Sequence, residues 1–157
     1  MKRIRTSIFA LGLLLCTAST CLGQEKLFDK YAGMDKVSSV YISKNMFNMM
    51  PALGDIGLAL TNMKGKIESL QVLSTERADQ IPQMRKDFSS LVKSDMQELM
   101  RVRDGASRTT FYAEMDGDKV KNLLMLADTD SSYTVVQVKG DFTLQDVQKM
   151  GESVEGK

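Results

Sequence analysis

MQELMRVRDGASRTTFYAEMDGDKVKNLLMLADTDSSYTVVQVKG, residues 96–140, is a succession of four strand-like runs joined by turn chemistry. Between Arg108 and Met115 the side chains alternate. Thr109, Phe111, Ala113 and Met115 fall on one side, and Arg108, Thr110, Tyr112 and Glu114 on the other. A period of two describes a half-buried strand, and Phe111 and Met115 are expected to face the core with Thr110 and Tyr112 outward. Asp104-Gly105 closes the run before it, Gln97 to Arg103. Asp116-Gly117 offers the positive φ that a tight hairpin needs, and Lys119 to Ala127 continues as a strand rich in Leu and Met. Asp128-Thr129-Asp130-Ser131-Ser132 then leads into Tyr133 to Gly140, whose Val135, Val136 and Val138 suit a pleated surface. Together these runs predict an antiparallel meander.

The preceding half reads as cover for that sheet. Leu27, Phe28 and Tyr31 predict a short helix within 24–35 that docks through its aromatics and ends at Gly33. Val37 to Ser43 is a β-rich run, after which Ser43 caps a helix carrying Met46, Phe47, Met49 and Met50. Ile56, Ala59, Leu60 and Met63 recur at helical spacing, and Lys66 to Ser74 reads as a central strand. Asp79 is the expected N-cap of a helix whose apolar stripe is Ile81, Met84, Phe88, Leu91 and Val92, with Pro82 in its first turn. After the meander, Thr143 and Asp146 have the spacing of a capping box, with Phe142 stapled onto Val147, and predict a terminal helix to about Met150. The expected fold is one α+β domain, residues 24–157, in which a mostly antiparallel sheet of five or six strands has helices packed on one face.

Residues 1–23 are set apart as a secretory signal peptide. Lys2, Arg3 and Arg5 form a basic start, Ile8 to Leu15 an apolar stretch, and Ala18 to Gly23 a run of mostly small residues before Gln24. The stretch is shorter than the roughly 20 apolar residues of a spanning helix, and no later segment approaches that length. Both cysteines, Cys16 and Cys21, go with the leader, so disulfides and thiol chemistry go too. Export to the periplasm is the expected destination. The alternative is a lipid anchor to the outer membrane through Cys21, although Ala18 and Thr20 fit a lipoprotein signal poorly. Losing three cations takes the formal net charge from +1 to −2, which gives no bulk electrostatic attraction for nucleic acid.

Phe28-Asp29-Lys30-Tyr31, the run Val37 to Phe47, and Ile67 to Ser74 together resemble the small exported proteins of Bacteroidetes grouped as domain of unknown function 4252. The resemblance spans roughly Phe28 to Met150. It implies export, an envelope setting and an α+β fold, and it assigns no functional residue and no cofactor.

Chemistry is constrained by what is missing. The chain has no histidine, so the usual general base and the commonest metal ligand are both absent. Asp116 with Asp118 and Asp128 with Asp130 stand out, but a strand of ~9 residues at ~3.3 Å each separates the pairs and keeps them from forming one dyad. Asp128 to Ser132 departs from a calcium loop, with Tyr133 where glycine is required and Lys139 where the bidentate glutamate should stand, and reads as a turn. Met46, Met49 and Met50 could in principle hold a soft ion, but their i, i+3, i+4 spacing is that of a buried helix face, and they read as core filler. Gly54 and Gly57 lack the context of a phosphate loop. No metal or cofactor is expected.

A solvated sheet face remains as a surface for a partner. Arg101, Arg103, Arg108, Tyr112 and Lys121 are its candidate contacts, since Arg and Tyr are the side chains most enriched at interface hot spots. The expected function is a non-enzymatic envelope protein that binds another protein or a peptide. The alternative is a small carboxylate-dependent hydrolase or other enzyme.

Overall fold

A computed structural model describes residues 21–49, 65–92 and 94–152. The elements run α1 (Cys21–Ala32), β1 (Val37–Ser43), α2 (Lys44–Met49), β2 (Ile67–Thr75), α3 (Ile81–Ser89), β3 (Met96–Asp104), β4 (Ser107–Asp116), β5 (Lys119–Asp128), β6 (Tyr133–Thr143) and α4 (Leu144–Glu152). The six strands form one sheet in the order β1-β2-β6-β5-β4-β3, antiparallel throughout. The expected meander is therefore present, with β6 turning back to the centre to receive β2. Gly105 and Gly117 each adopt positive φ, +58° and +63°, at the first position of their two-residue loops. That is the hairpin pattern in which glycine leads the turn. The expected second helix, around Ile56 to Met63, lies outside the described residues, as do residues 1–20 of the expected leader and the final five residues. The expected cut after Gly23 falls in the first turn of α1.

The α+β class holds, but the helices are divided between the two faces of the sheet. On one face Phe28 and Tyr31 of α1 and Ile81, Met84 and Phe88 of α3 meet Leu73, Leu124, Leu126, Tyr133 and Val135. On the other, Phe47 of α2 and Val147 of α4 join Ile42, Leu70, Leu123, Val136, Val138 and Phe142. The cause is in the central strands. β5 and β6 carry apolar residues at consecutive positions, Leu123-Leu124 and Val135-Val136, so both faces must be covered.

Two-sided burial changes the expected exposure of β4. Thr110, expected outward, is 4% exposed, and Tyr112 is half-buried against the α1/α3 cluster. Phe111, expected to be the buried partner, is only half-buried, and Ala113 is the fully enclosed residue of that strand.

Capping is a mixed outcome. Ser43 Oγ accepts the Met46 N–H at 3.4 Å, as expected. The N-cap of α3 is Gln80 rather than Asp79, and the Asp79 carboxylate instead accepts from Arg77 at 2.8 and 2.9 Å. Thr143 and Asp146 form the expected capping box, to which Lys66 adds an ion pair at 2.9 Å. No helix among the described residues is long and apolar enough to cross a membrane.

Candidate functional site

The two edges of the sheet differ in chemistry. β3 carries Glu98, Arg101, Arg103 and Asp104, and its register shifts between Glu98 and Met100. Charges and a bulge are the usual devices by which an edge is kept from pairing. β1, Val-Ser-Ser-Val-Tyr-Ile-Ser, has no charge, no proline and an unbroken register with β2 from Val37↔Thr75 to Ser43↔Ser69. Among the described residues no strand lies on its outer side. Alternate backbone N–H and C=O groups of β1 therefore point away from the sheet. Val40 and Tyr41, 43% and 63% exposed, flank this edge on opposite faces.

α1 makes a wall beside it. Phe28 and Tyr31 are fixed against Phe88 of α3, with ring centroids 5.1 and 5.4 Å apart. The Tyr31 hydroxyl donates to Asp87 Oδ2 at 2.8 Å, and Lys30 Nζ reaches the same oxygen at 2.9 Å. Burial and the bond to Asp87 push the Tyr31 phenol up, while Lys30, with Tyr31 and Gln83 assisting, holds the Asp87 carboxyl below its usual range. At its other end α1 is anchored by a buried amide cluster. Gln24 Oε1 accepts from Asn122 Nδ2 at 3.3 Å and from Gln137 Nε2 at 3.2 Å, and Gln137 Nε2 also donates to Asn122 Oδ1 at 3.0 Å. The link to β1 is tied down by Gln80 Nε2 donating to Asp35 O at 3.0 Å and Thr75 Oγ1 donating to Lys36 O at 3.2 Å.

Between this wall and β1 runs a groove of about 210 Å³, lined by Phe28, Asp29 and Ala32 of α1, Ser39 to Tyr41 of β1 and Gln71 to Leu73 of β2. By register Ser39, Tyr41, Gln71 and Leu73 share the α1 side of the sheet. Among the described residues Asp29 is the one carboxylate on its lining.

The residues expected to contact a partner lie elsewhere and are only partly brought together. Arg101, Arg103, Arg108 and Tyr112 share the α1/α3 face through the pairs Arg101↔Thr110, Arg103↔Arg108 and Glu98↔Tyr112. Arg101 is paired with Glu98, whereas Arg103 and Arg108 make no ion pair among the described residues. Lys121 sits apart, at the extra position of a bulge in β5, with its ammonium 3.1 Å from Asp141. Arg108 stands opposite Asp128, seven residues along β5, or roughly 23 Å away.

The other candidates also resolve. Met46 and Met49 are 53% and 78% exposed and are not core filler; Phe47 between them is the buried residue. Among the described residues of α2 Phe47 is the one buried side chain, and Met50 lies outside the described residues. Asp128 is held by Nε and Nη2 of Arg85 at 2.6 and 2.7 Å, and the Thr129 hydroxyl closes the turn by accepting the Ser132 N–H at 2.9 Å. Among the described residues no three acidic or cysteine side chains are grouped to hold a metal.

Residues 31–150 match the family model described as Domain of unknown function (DUF4252). The chain belongs to the DUF4252 family. A comparison with curated proteins finds no match. In DUF4252 terms, the match takes in every strand of the sheet and most of the groove, but begins after Phe28 and Asp29 on the α1 wall.

Proposed function

We propose that this member of the DUF4252 family is a non-enzymatic, exported envelope protein that binds an extended segment of another protein or a peptide by adding it to the sheet at β1. The observation that carries the reading is the contrast between the edges: β3 is charged and bulged, whereas β1 is uncharged, regular and bordered by a groove. Strand addition draws affinity from backbone hydrogen bonds along an edge and selectivity from pockets that take alternate side chains. β1 with its groove offers both. The leader-like residues 1–23 support the envelope setting. Among the described residues the groove holds one carboxylate, which gives a two-carboxylate hydrolase no convergent pair there. Titration with a fluorescent peptide of alternating Thr and Val tests the reading. Val40→Lys should weaken binding tenfold or more, while the matched charge on the opposite edge, Val102→Lys, should leave it unchanged.

A second reading has its own observation. Arg103 and Arg108 face each other directly, an arrangement that costs stability, and both are exposed. They, with Arg101 and Tyr112, would suit an acidic partner. Arg103→Ala with Arg108→Ala should then weaken binding of a polyglutamate peptide without lowering the melting temperature.

A further inference from the structure

We infer that the segment added at β1 carries a cationic side chain, arginine in preference to lysine, which enters the groove beside Asp29; this rests on strand addition at β1. A cavity of about 210 Å³ is below the ~300–1,000 Å³ usual for a small-molecule site, and suits a single long side chain. Its floor is apolar, with Phe28 and Leu73, and its rim is polar, with Ser39, Tyr41, Gln71 and Asp29. An arginine matches that gradient, because its methylene stem packs on apolar surface while its guanidinium stays at the rim. Ser39 and Gln71 supply oxygen acceptors for its remaining N–H groups, and the exposed ring of Tyr41 supplies a face for a cation.

The local charge supports the same occupant. Among the described residues no lysine or arginine lines the groove, and Asp29 makes no ion pair. The adjacent Lys30 is directed to the other side of α1, bonded to Asp87 and lying 4.9 Å over the Tyr31 ring. A second copy of the chain is a poorer occupant. Its own β1 would bring only Val, Ser, Tyr and Ile side chains and leave Asp29 unanswered.

Three peptides of one host sequence, Thr-Val-Thr-Xaa-Thr-Val-Thr, with Xaa as Arg, Leu or Glu, separate the possibilities by fluorescence anisotropy. The Arg peptide should bind on the order of threefold to fivefold more tightly than Leu, and Glu most weakly, as suits a partly exposed charge pair. Asp29→Asn should erase the Arg advantage while leaving the Leu affinity unchanged, and Asp29→Lys should favour Glu. Ala32→Trp, which fills the groove, should remove discrimination among the three. The Asp29 side chain makes no hydrogen bond among the described residues, and its carbonyl, which accepts the Gly33 N–H at 3.3 Å, is untouched by either change at this position. Equal binding of all three peptides, indifferent to Asp29→Asn, would overturn the cationic preference and leave strand addition standing. No binding of any peptide would overturn both. Concentration-dependent dimers in sedimentation, competing with peptide, would overturn the proposal in favour of a second copy at β1.

Discussion

Thr143 and Asp146 cap the last helix reciprocally. The Thr143 N–H donates to Asp146 Oδ2 at 2.9 Å, and the Asp146 N–H donates to Thr143 Oγ1 at 3.3 Å. Lys66, just ahead of β2, donates to both oxygens of the same carboxylate at 3.1 and 2.9 Å, which ties α4 to a strand 80 residues earlier. Asp146→Ala should destabilise the fold by about 1–3 kcal/mol, a capping loss plus the unpaired Thr143 N–H, with little added for the half-exposed Lys66. Asp146→Asn should cost less. Urea denaturation checks both.

Acid should unfold the protein through the same group. The Asp146 carboxyl is held low, chiefly by the Thr143 N–H, and the Asp87 carboxyl is held low, chiefly by Lys30. A depressed folded value means that the stabilisation is complete above the unfolded value near ~4 and is lost as pH falls through the lower folded one. The melting temperature should change little from about pH 7 to 5 and drop below about pH 4. The double variant Asp87→Asn, Asp146→Asn should start lower and lose less over that acid window. At the alkaline end, burial pushes Tyr133 up to about 12, so stability from that phenol should decline once pH exceeds ~10.

On β4, Phe111→Ala and Tyr112→Ala should cost similar amounts, about 1–2 kcal/mol each, since both rings are half-buried on opposite faces. Phe88→Ala and Phe142→Ala, one in each fully buried cluster, should cost about 3–5 kcal/mol. Guanidinium denaturation of the four variants reads out the two-sided burial directly.

Gly140 lies where β6 passes the start of β2, and a Cβ there would stand 2.2 Å from the Lys66 carbonyl oxygen. That oxygen already accepts the Asp141 N–H at 2.8 Å and is backbone, so the chain must shift. Gly140→Ala should cost about 1–3 kcal/mol despite its single methyl. A melting temperature equal to that of wild type would show that the strands do not cross this closely.

The elements that were legible in the sequence are those set by neighbours a few residues apart. Asp116-Gly117 specifies its hairpin, Ser43 its cap, and Thr143 with Asp146 their box, because each is a contact between residues at fixed short spacing. What could not be read depends on pairing across the chain. Period two assigns Phe111 and Tyr112 to opposite faces but does not say that both faces are covered; that follows from Leu123-Leu124 and Val135-Val136 lying in the centre of the sheet. Asp79 pairs with Arg77 instead of capping α3, a side-chain pair that no periodicity encodes. Met46 and Met49 have core spacing, but Phe47 is the side chain that α2 turns toward the sheet, which leaves the two methionines on its outer side. The groove joins residues of three elements and no local pattern encodes it, although one signal is present: seven consecutive uncharged residues, Val37 to Ser43, in the run that forms the edge.

Hydrogen–deuterium exchange tests strand addition at β1 most directly, measured on the protein alone and saturated with the alternating Thr/Val peptide. Amides of Ser38 to Ile42 that face away from β2 should exchange quickly in the free protein and become protected on binding, with the β3 amides unchanged. Protection confined to β3 around Arg101 and Arg103, or no change at β1 under saturating peptide, would contradict the account.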